Sequence, residues 1–446
     1  MYRKLSISKI ICLFCLIGAV GISCANAQSN LDAYFDNLLQ KRKFMGSVAI
    51  YHNDSLIYQR ASGFKNVSDQ SKANTNTRYR IGSVTKTFTA ALVLKAVEEN
   101  KLRLTDLLTE YYPMVKNSDK ITIEHLLKHR SGIVNFTEID GESEWEKHFH
   151  TEKQFLAYFQ HKDSDFPPGT TYKYSNTNYA LLGFILQRIY GKTFAQILQE
   201  NIVGPLNLKN TYYSFKVKPT NNEAISYNIQ NKYIPNGKVN FSNHPASGGI
   251  ASTPADLSKF LYALFNGKII NKENLAVMLP ANKGEYGMGI EKLSINNPVG
   301  FTHGGRVENY ISSYWYFPKE NLSVVTLANA TNLNVEEINN TLTRYAFGIK
   351  PEMMDYEAID NLEKQEFEKI KGSYLDVKQK NTITISSNGH QLIFQHSKKG
   401  QDYVPFKYIG ENIFEYENIR LQFLPEKNKV ILTQGNTKEI YNKIID

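Results

Sequence analysis

The sequence has no cysteine after residue 27, since Cys12, Cys15 and Cys24 are its only three. A body without thiols forms no disulfide and offers no thiolate to a metal, so its folded state must rest on a packed core. No run approaches the roughly 18 consecutive apolar residues that a transmembrane helix needs. Lysine and arginine are numerous but never gathered into a block, which removes the electrostatic footprint expected of a nucleic-acid binder. Internal repeats and long low-complexity segments are also missing. These absences leave a folded body of about 420 residues, enough for one large domain and a small one.

At the start, Arg3, Lys4 and Lys9 precede an apolar stretch from Ile10 to Ile22 and a small-residue site, Ala25-Asn26-Ala27. This order reads as a secretory signal peptide over residues 1–27, placing the mature protein in the periplasm or outside the cell. Ile22 and Ser23 also suit the positions before a lipidated cysteine, so a lipid anchor on Cys24 is the second reading, although Gly21 does not suit it. Without the leader the formal charge falls from +9 to +6. Weak attraction to an anionic cell envelope is the most that this spread charge supports.

The body changes character along its length. Gly46–Tyr51 and Ser55–Arg60 flank Asn53-Asp54 as a β-hairpin. Helical patterns follow over Thr87–Glu99, Ile121–His129, Glu152–Phe159 and Ala180–Ile189, then strand-like runs return at Ile311–Phe317 and Leu322–Ala328 around Pro318–Asn321, before a closing helix over Val335–Phe347. Strands at both ends with helices between predict an α+β fold: an antiparallel sheet flanked by helices, with an inserted helical lobe. Residues 351–366 read as a connector and 367–446 as a small, barrel-like all-β unit of short strands, including Thr382–Ser386, Ile419–Phe423 and Val430–Thr433.

Three short stretches carry chemistry. In Ser83-Val84-Thr85-Lys86 a helical spacing of three puts the lysine on the serine's face. A desolvated lysine can take the proton of a hydroxyl that is otherwise a poor nucleophile. Ser-x-x-Lys recurs at Ser6 and Ser62, so the spacing is weak evidence by itself. Tyr174-Ser175-Asn176 precedes an apolar helix; its phenol, stabilised as phenolate beside a lysine, could relay a proton, and its amide could hold the lysine or the substrate. In His303-Gly304-Gly305-Arg306 the glycines permit close approach of a ligand backbone, and the Arg306 N–H could join that of Ser83 in binding an oxyanion. His125 and His129, four apart, have the spacing of a zinc pair, but Leu126 follows His125 where a metalloprotease carries its glutamate base; no metal is expected.

Taken in order, these motifs resemble the penicillin-recognising serine hydrolases of the class C β-lactamase type, with their DD-peptidase and esterase relatives. Leu126–Ile133, Ser247–Thr253 and Tyr286–Gly289 add to the likeness, which runs from about Leu31 to Phe347. It implies Ser83 as nucleophile, Lys86 and Tyr174 as the base system, and Asn176, His303, Gly304, Gly305 and Arg306 as substrate-orienting groups, with no cofactor. Histidine at 303, where dedicated β-lactamases carry lysine, resembles the esterase and aminopeptidase-like branches. Arg306, Glu308 and Asn309 depart from the small residues usual there and are expected to narrow the cleft or to offer a charge to a substrate carboxylate. The expectation is therefore an exported serine hydrolase of residues 28–350, acting on a small ester or a peptide, cell-wall peptides included, with a β-lactam last. The rival is an envelope protein that binds penicillin or wall fragments without turnover.

Overall fold

The computed structural model describes residues 30–139, 145–229, 232–236, 239–244, 246–282, 285–293, 298–351, 364–376, 381–387, 392–396, 406–416, 419–435 and 437–444. The expected leader, Cys24 and most of the expected connector lie outside them.

Two residues in left-handed conformation, Asn53 (φ 48°) and Asp54 (φ 63°), turn β1 (Phe44–His52) back onto β2 (Ser55–Ser62). Positive φ at both central positions is what a tight hairpin demands, and Asn and Asp tolerate it. The remaining strands come from much further along: β3 (Glu291–Lys292), β4 (Phe301–Val307), β5 (Tyr310–Phe317) and β6 (Leu322–Thr331). They join in the order β3-β4-β5-β6-β1-β2, all antiparallel, with Phe44 opposite Thr331 and His52 opposite Leu322. Central β6 is buried at nine of its ten positions, which explains its nearly unbroken apolar run.

One face of this sheet packs on α1 (30–40) and the last helix, α7 (Val335–Ala346), through Phe35, Leu38, Ile338 and Leu342. The other face carries the helical lobe: α2 (Thr85–Glu98), α3 (Ile123–Leu127), α4 (Glu152–Phe159), α5 (Asn176–Tyr190) and α6 (Pro254–Phe265). Helix α2 buries eleven of its fourteen residues and shows little one-sided patterning, as a helix enclosed by neighbours should. It ends before Asn100, a left-handed residue (φ 55°).

A second, eight-stranded antiparallel sheet follows: β7 (Gly372–Asp376), β8 (Asn381–Ser387), β9 (Leu392–His396), β10 (Lys407–Gly410), β11 (Ile413–Tyr416), β12 (Ile419–Leu424), β13 (Lys429–Gln434) and β14 (Thr437–Lys443). Its order is β9-β8-β7-β14-β13-β12-β11-β10, so among the described residues the end strands do not pair and the sheet is a half-barrel. Alternate residues of β12 and β13, including Leu421, Phe423, Val430 and Leu432, fill its own core.

The α+β architecture is as expected; several boundaries move. Residues 301–307 form a full strand, second from the sheet's edge, rather than a segment beside one, because the ladder to β5 outweighs the poor strand propensity of Gly304 and Gly305. Helix α5 starts at Asn176, four residues before its apolar run, since Asn135 Oδ1 accepts the Asn176 N–H at 3.0 Å. A cap supplied from so far along the chain leaves no local signal. Helix α3 is shorter than its pattern, and His129 (φ 54°) already belongs to the turn after it.

Candidate active site

Ser83 lies on a single 3₁₀ turn, Gly82–Val84, that opens α2. The turn is possible because Gly82 has φ 47° and no side chain: a Cβ there would lie 2.8 Å from Arg306 N. Gly305 is matched to it, since its Cβ would lie 2.1 Å from Ile81 O and 3.0 Å from Ser83 N. The two glycines let β4 and the serine turn touch backbone to backbone, which brings the Ser83 and Arg306 peptides side by side.

Three buried threonines of α2 then fix two further backbone segments against the helix. Thr85 Oγ1 accepts the Ile250 N–H at 3.2 Å, Thr89 donates to Ala246 O at 2.7 Å, and Thr87 donates to Gly289 O at 2.7 Å. Between the first two anchors sits Ser247, whose carbonyl accepts from Lys86 Nζ at 2.8 Å. Arg80 anchors the adjacent chain from outside: 1% exposed and ion-paired to Glu223, its guanidinium also donates to Gly249 O, Ser214 O and Lys216 O.

Lys86 is fully buried, and its Nζ meets Ser83 Oγ at 2.9 Å, Asn176 Oδ1 at 2.7 Å and the Ser247 carbonyl. Burial in this position pushes the lysine well below its ordinary pKa, because the charged form loses its hydration. The amide of Asn176 is oriented by a 3.3 Å bond from Nδ2 to Thr137 Oγ1, so its oxygen faces the lysine. A neutral amine has two protons and one lone pair. Asn176 Oδ1 and Ser247 O accept the two protons, and the lone pair is left for the Ser83 hydroxyl.

Tyr174 completes the cluster. Lys86 Nζ lies 4.9 Å from its ring centroid, and its phenol is a hydrogen-bond partner of Ser83. Burial raises the phenol's pKa far more than Ser83 lowers it, so the resting group is a neutral phenol rather than the phenolate the lysine spacing suggests. The physical reason is that burial strips the phenolate of its hydration, which the hydrogen bond with Ser83 does not replace.

His303, on β4 and 2% exposed, uses both ring nitrogens within the protein. Its Nδ1–H donates to Gly304 O at 2.6 Å and its Nε2 accepts from Tyr286 Oη at 2.9 Å. Burial lowers its pKa to about 3, which keeps the ring neutral. It thus braces Tyr286 and the edge of β4. Alternation along β4 separates the rest: Gly305 faces Ser312, whose hydroxyl donates to Ile81 O at 2.7 Å, whereas Gly304 and Arg306 share the face of Ser313, which donates to Glu336 on α7 at 2.8 Å. The Arg306 peptide therefore lies beside Ser83 while its exposed side chain leaves on the other face. Glu308 is already occupied, accepting from Ser226 Oγ and Val239 N at 2.9 Å each. Neither charge is aimed into the cleft as the sequence suggests.

The histidine pair is separated by function. His125 Nδ1 accepts the Thr122 N–H at 3.3 Å as a helix cap. Fully buried His129 accepts the Ser175 N–H at 3.2 Å through Nδ1 and packs on the Tyr174 and Tyr286 rings at 4.2 and 4.6 Å.

With this geometry in place, comparison with known proteins is decisive about kinship. Residues 31–346 match the family described as Beta-lactamase. The chain belongs to the beta-lactamase family. It is similar to Protein flp of Staphylococcus aureus, 26% identical over 329 residues, covering 70% of this chain and 65% of that protein. The matched part thus spans slightly under two thirds of that relative's length. Another relative is the teichoic acid D-alanine hydrolase of Staphylococcus aureus, 27% identical over 242 residues, covering 53% of this chain and 59% of the relative. Among solved structures, the octameric penicillin-binding protein homologue from Pyrococcus abyssi superposes with a TM-score of 0.64 at 22% identity, covering 92% of this chain and 99% of the other.

The structure brings Ser83, Lys86, Tyr174, Asn176, Gly305 and the Arg306 peptide together and sets His303 behind Tyr286. Sequence reasoning missed the Ser247 carbonyl, the three threonines and the Arg80–Glu223 pair. A backbone acceptor has no residue signature, although the Ser247–Thr253 stretch marked the place; the ion pair joins positions 143 apart, with no local trace.

Proposed function

We propose that the protein is a serine hydrolase acting through an acyl-enzyme on Ser83. The observation that carries this reading is the Lys86 amine held between Asn176 Oδ1 and Ser247 O with its third direction on Ser83 Oγ. Nothing about packing requires a buried lysine there, whereas proton abstraction does.

A substrate carbonyl enters between Ser83 Oγ and the Ser83 and Arg306 N–H groups. The Oγ–carbon bond forms as the hydroxyl proton passes to Lys86 Nζ, and the two amides bind the oxyanion. The bond to the leaving group then breaks as the neutral Tyr174 phenol donates its proton to the departing oxygen or nitrogen and is reprotonated from the Lys86 ammonium. Water attacks the resulting ester, gives a proton to the same base and releases the acid, restoring Ser83. Asn176 keeps the amine oriented, and Gly305 keeps the oxyanion site open.

Residues 28–350 form the hydrolase and 367–446 an accessory unit; the leader directs export, so the substrate belongs to the periplasm or the cell exterior. Esters and peptide-like amides, cell-wall peptides included, come before β-lactams, because neutral His303 offers no cation where a lactam carboxylate would bind. The relative named for hydrolysing D-alanine from teichoic acid supports an ester. The test is intact-mass spectrometry after exposure to a fluorophosphonate, a short-chain nitrophenyl ester and a chromogenic cephalosporin, with Ser83→Ala alongside. A single adduct lost in the variant, with ester turnover, is expected. No adduct from any reagent would leave non-turnover binding of wall fragments as the better reading.

A further inference from the structure

We infer that His129 is a positioning residue for leaving-group protonation: it grips the backbone on both sides of Tyr174 and keeps its Nε2–H for the Tyr174 ring. The inference rests on the hydrolase reading and assigns a further residue to the same reaction.

The grip is made at two peptides. The Lys173 N–H, just before Tyr174, donates to His129 O at 3.1 Å, and the Ser175 N–H, just after it, donates to His129 Nδ1 at 3.2 Å. A second donor, Asn178 Nδ2, reaches the same Nδ1 at 3.4 Å. Ser131 orients that amide, because its hydroxyl accepts the Ile133 N–H and donates to Asn178 Oδ1 at 2.7 Å. Two N–H groups converging on Nδ1 leave it no proton of its own, so the neutral ring carries its hydrogen on Nε2.

That Nε2–H is the unexplained group: it is buried and has no hydrogen-bond partner among the described residues. Around the imidazole stand the rings of Tyr174, Tyr286 and Tyr179, with centroids 4.2, 4.6 and 5.2 Å away. Their hydroxyls are engaged with Ser83, His303 Nε2 and Leu127 O, so the rings, rather than their oxygens, are what the donor can meet. His129 also holds φ 54°, which side chains other than glycine adopt at a cost. An orphaned donor and a left-handed backbone both lower stability, and packing alone accounts for neither. Of the three rings, Tyr174 alone changes charge in the proposed cycle. As its proton moves to the leaving group the ring gains negative charge, and the contact with Nε2–H strengthens at that moment. Burial keeps the imidazole uncharged, so it does not repel the Lys86 ammonium present in the same step.

The test is a leaving-group series with the full chain. 4-Nitrophenyl, phenyl and benzyl acetate share an acyl group and differ in how much the departing oxygen needs a proton, and kcat/KM reads the acylation step in which it departs. His129→Asn keeps an acceptor near the place of Nδ1 and tolerates the positive φ, but removes the donor. The ratio of kcat/KM for 4-nitrophenyl over benzyl acetate should widen at least about tenfold, the size of one hydrogen bond to a charged group. Tyr174→Phe should widen it further, and the double variant should be no worse than Tyr174→Phe alone. His129→Gln, whose amide restores a donor near Nε2 but gives up the Nδ1 acceptor, should widen the ratio less and still selectively. Fluorophosphonate labelling of Ser83 shows which variants retain the site. Equal losses on all three esters, an unchanged ratio, or losses that add to those of Tyr174→Phe overturn the inference and leave the hydrolase standing. No labelling and no turnover of any ester by the wild type would overturn both.

Discussion

The two sheets of this chain are built on opposite economies of polar groups. The six-stranded sheet and its helical lobe bury Lys86, Arg80, Glu223, His129, His303, Asn178 and the threonines of α2, each in a defined place. The eight-stranded half-barrel closes on Ile383, Phe394, Leu421, Phe423, Val430 and Tyr441, and its buried polar residues among those described are Asp376 and Asn381. Burying a polar group costs stability unless a partner is in place, so a fold keeps such groups where positioning matters. The proposed chemistry uses the buried polar groups of the first unit, and the second has the character of a packing module.

The largest way to break the comparison is at the nucleophile. Ser83→Ala should reduce turnover by about a thousandfold or more and abolish covalent labelling, because no other hydroxyl shares its base. Gly305→Ala comes next: a methyl 2.1 Å from Ile81 O must push β4 off the serine turn. Turnover of a nitrophenyl ester should fall about a hundredfold or more, the size of losing one oxyanion donor. Arg80→Ala, which leaves Glu223 buried without its cation, should cost about 3–5 kcal/mol in denaturant unfolding.

A subtler effect is acid sensitivity. His303 is neutral in the fold with its pKa lowered to about 3, whereas the unfolded chain protonates it below about 6.5. The unfolded state therefore binds the extra proton between those values, and stability falls as pH drops through that window. The loss is about 1.4 kcal/mol per pH unit from this group, and His303→Gln should flatten the profile by that amount in urea titrations at successive pH. Smallest for catalysis, and sharpest for the comparison, is Leu421→Ala. It should destabilise the half-barrel by about 2–5 kcal/mol and leave kcat per labelled serine within about twofold.

The sequence was most legible where chemistry and local periodicity coincide. Ser83 and Lys86 share a helix face, so their meeting follows from spacing, and the Asn53-Asp54 hairpin follows from turn chemistry. Asn176 beside Lys86 was legible as a motif, but the helix that carries it begins through a cap from Asn135, which no local pattern contains. Strand β4 was hidden by its glycines, whose purpose is the close approach to Ile81 and Ser83. In the half-barrel, β7, β10 and β14 escaped because short strands with mixed polar faces carry weak patterns, and their pairing partners define them.

The most direct test of the central claim, that Lys86 is a neutral amine aimed at Ser83, is the pH dependence of fluorophosphonate labelling of Ser83. Because burial lowers the lysine's pKa, the rate should rise with pH through an inflection well below 10.5 and then stay level. Lys86→Ala should slow labelling by about a hundredfold or more and remove that inflection. A rate that keeps climbing to an inflection near 10.5, or one indifferent to Lys86→Ala, would contradict the account.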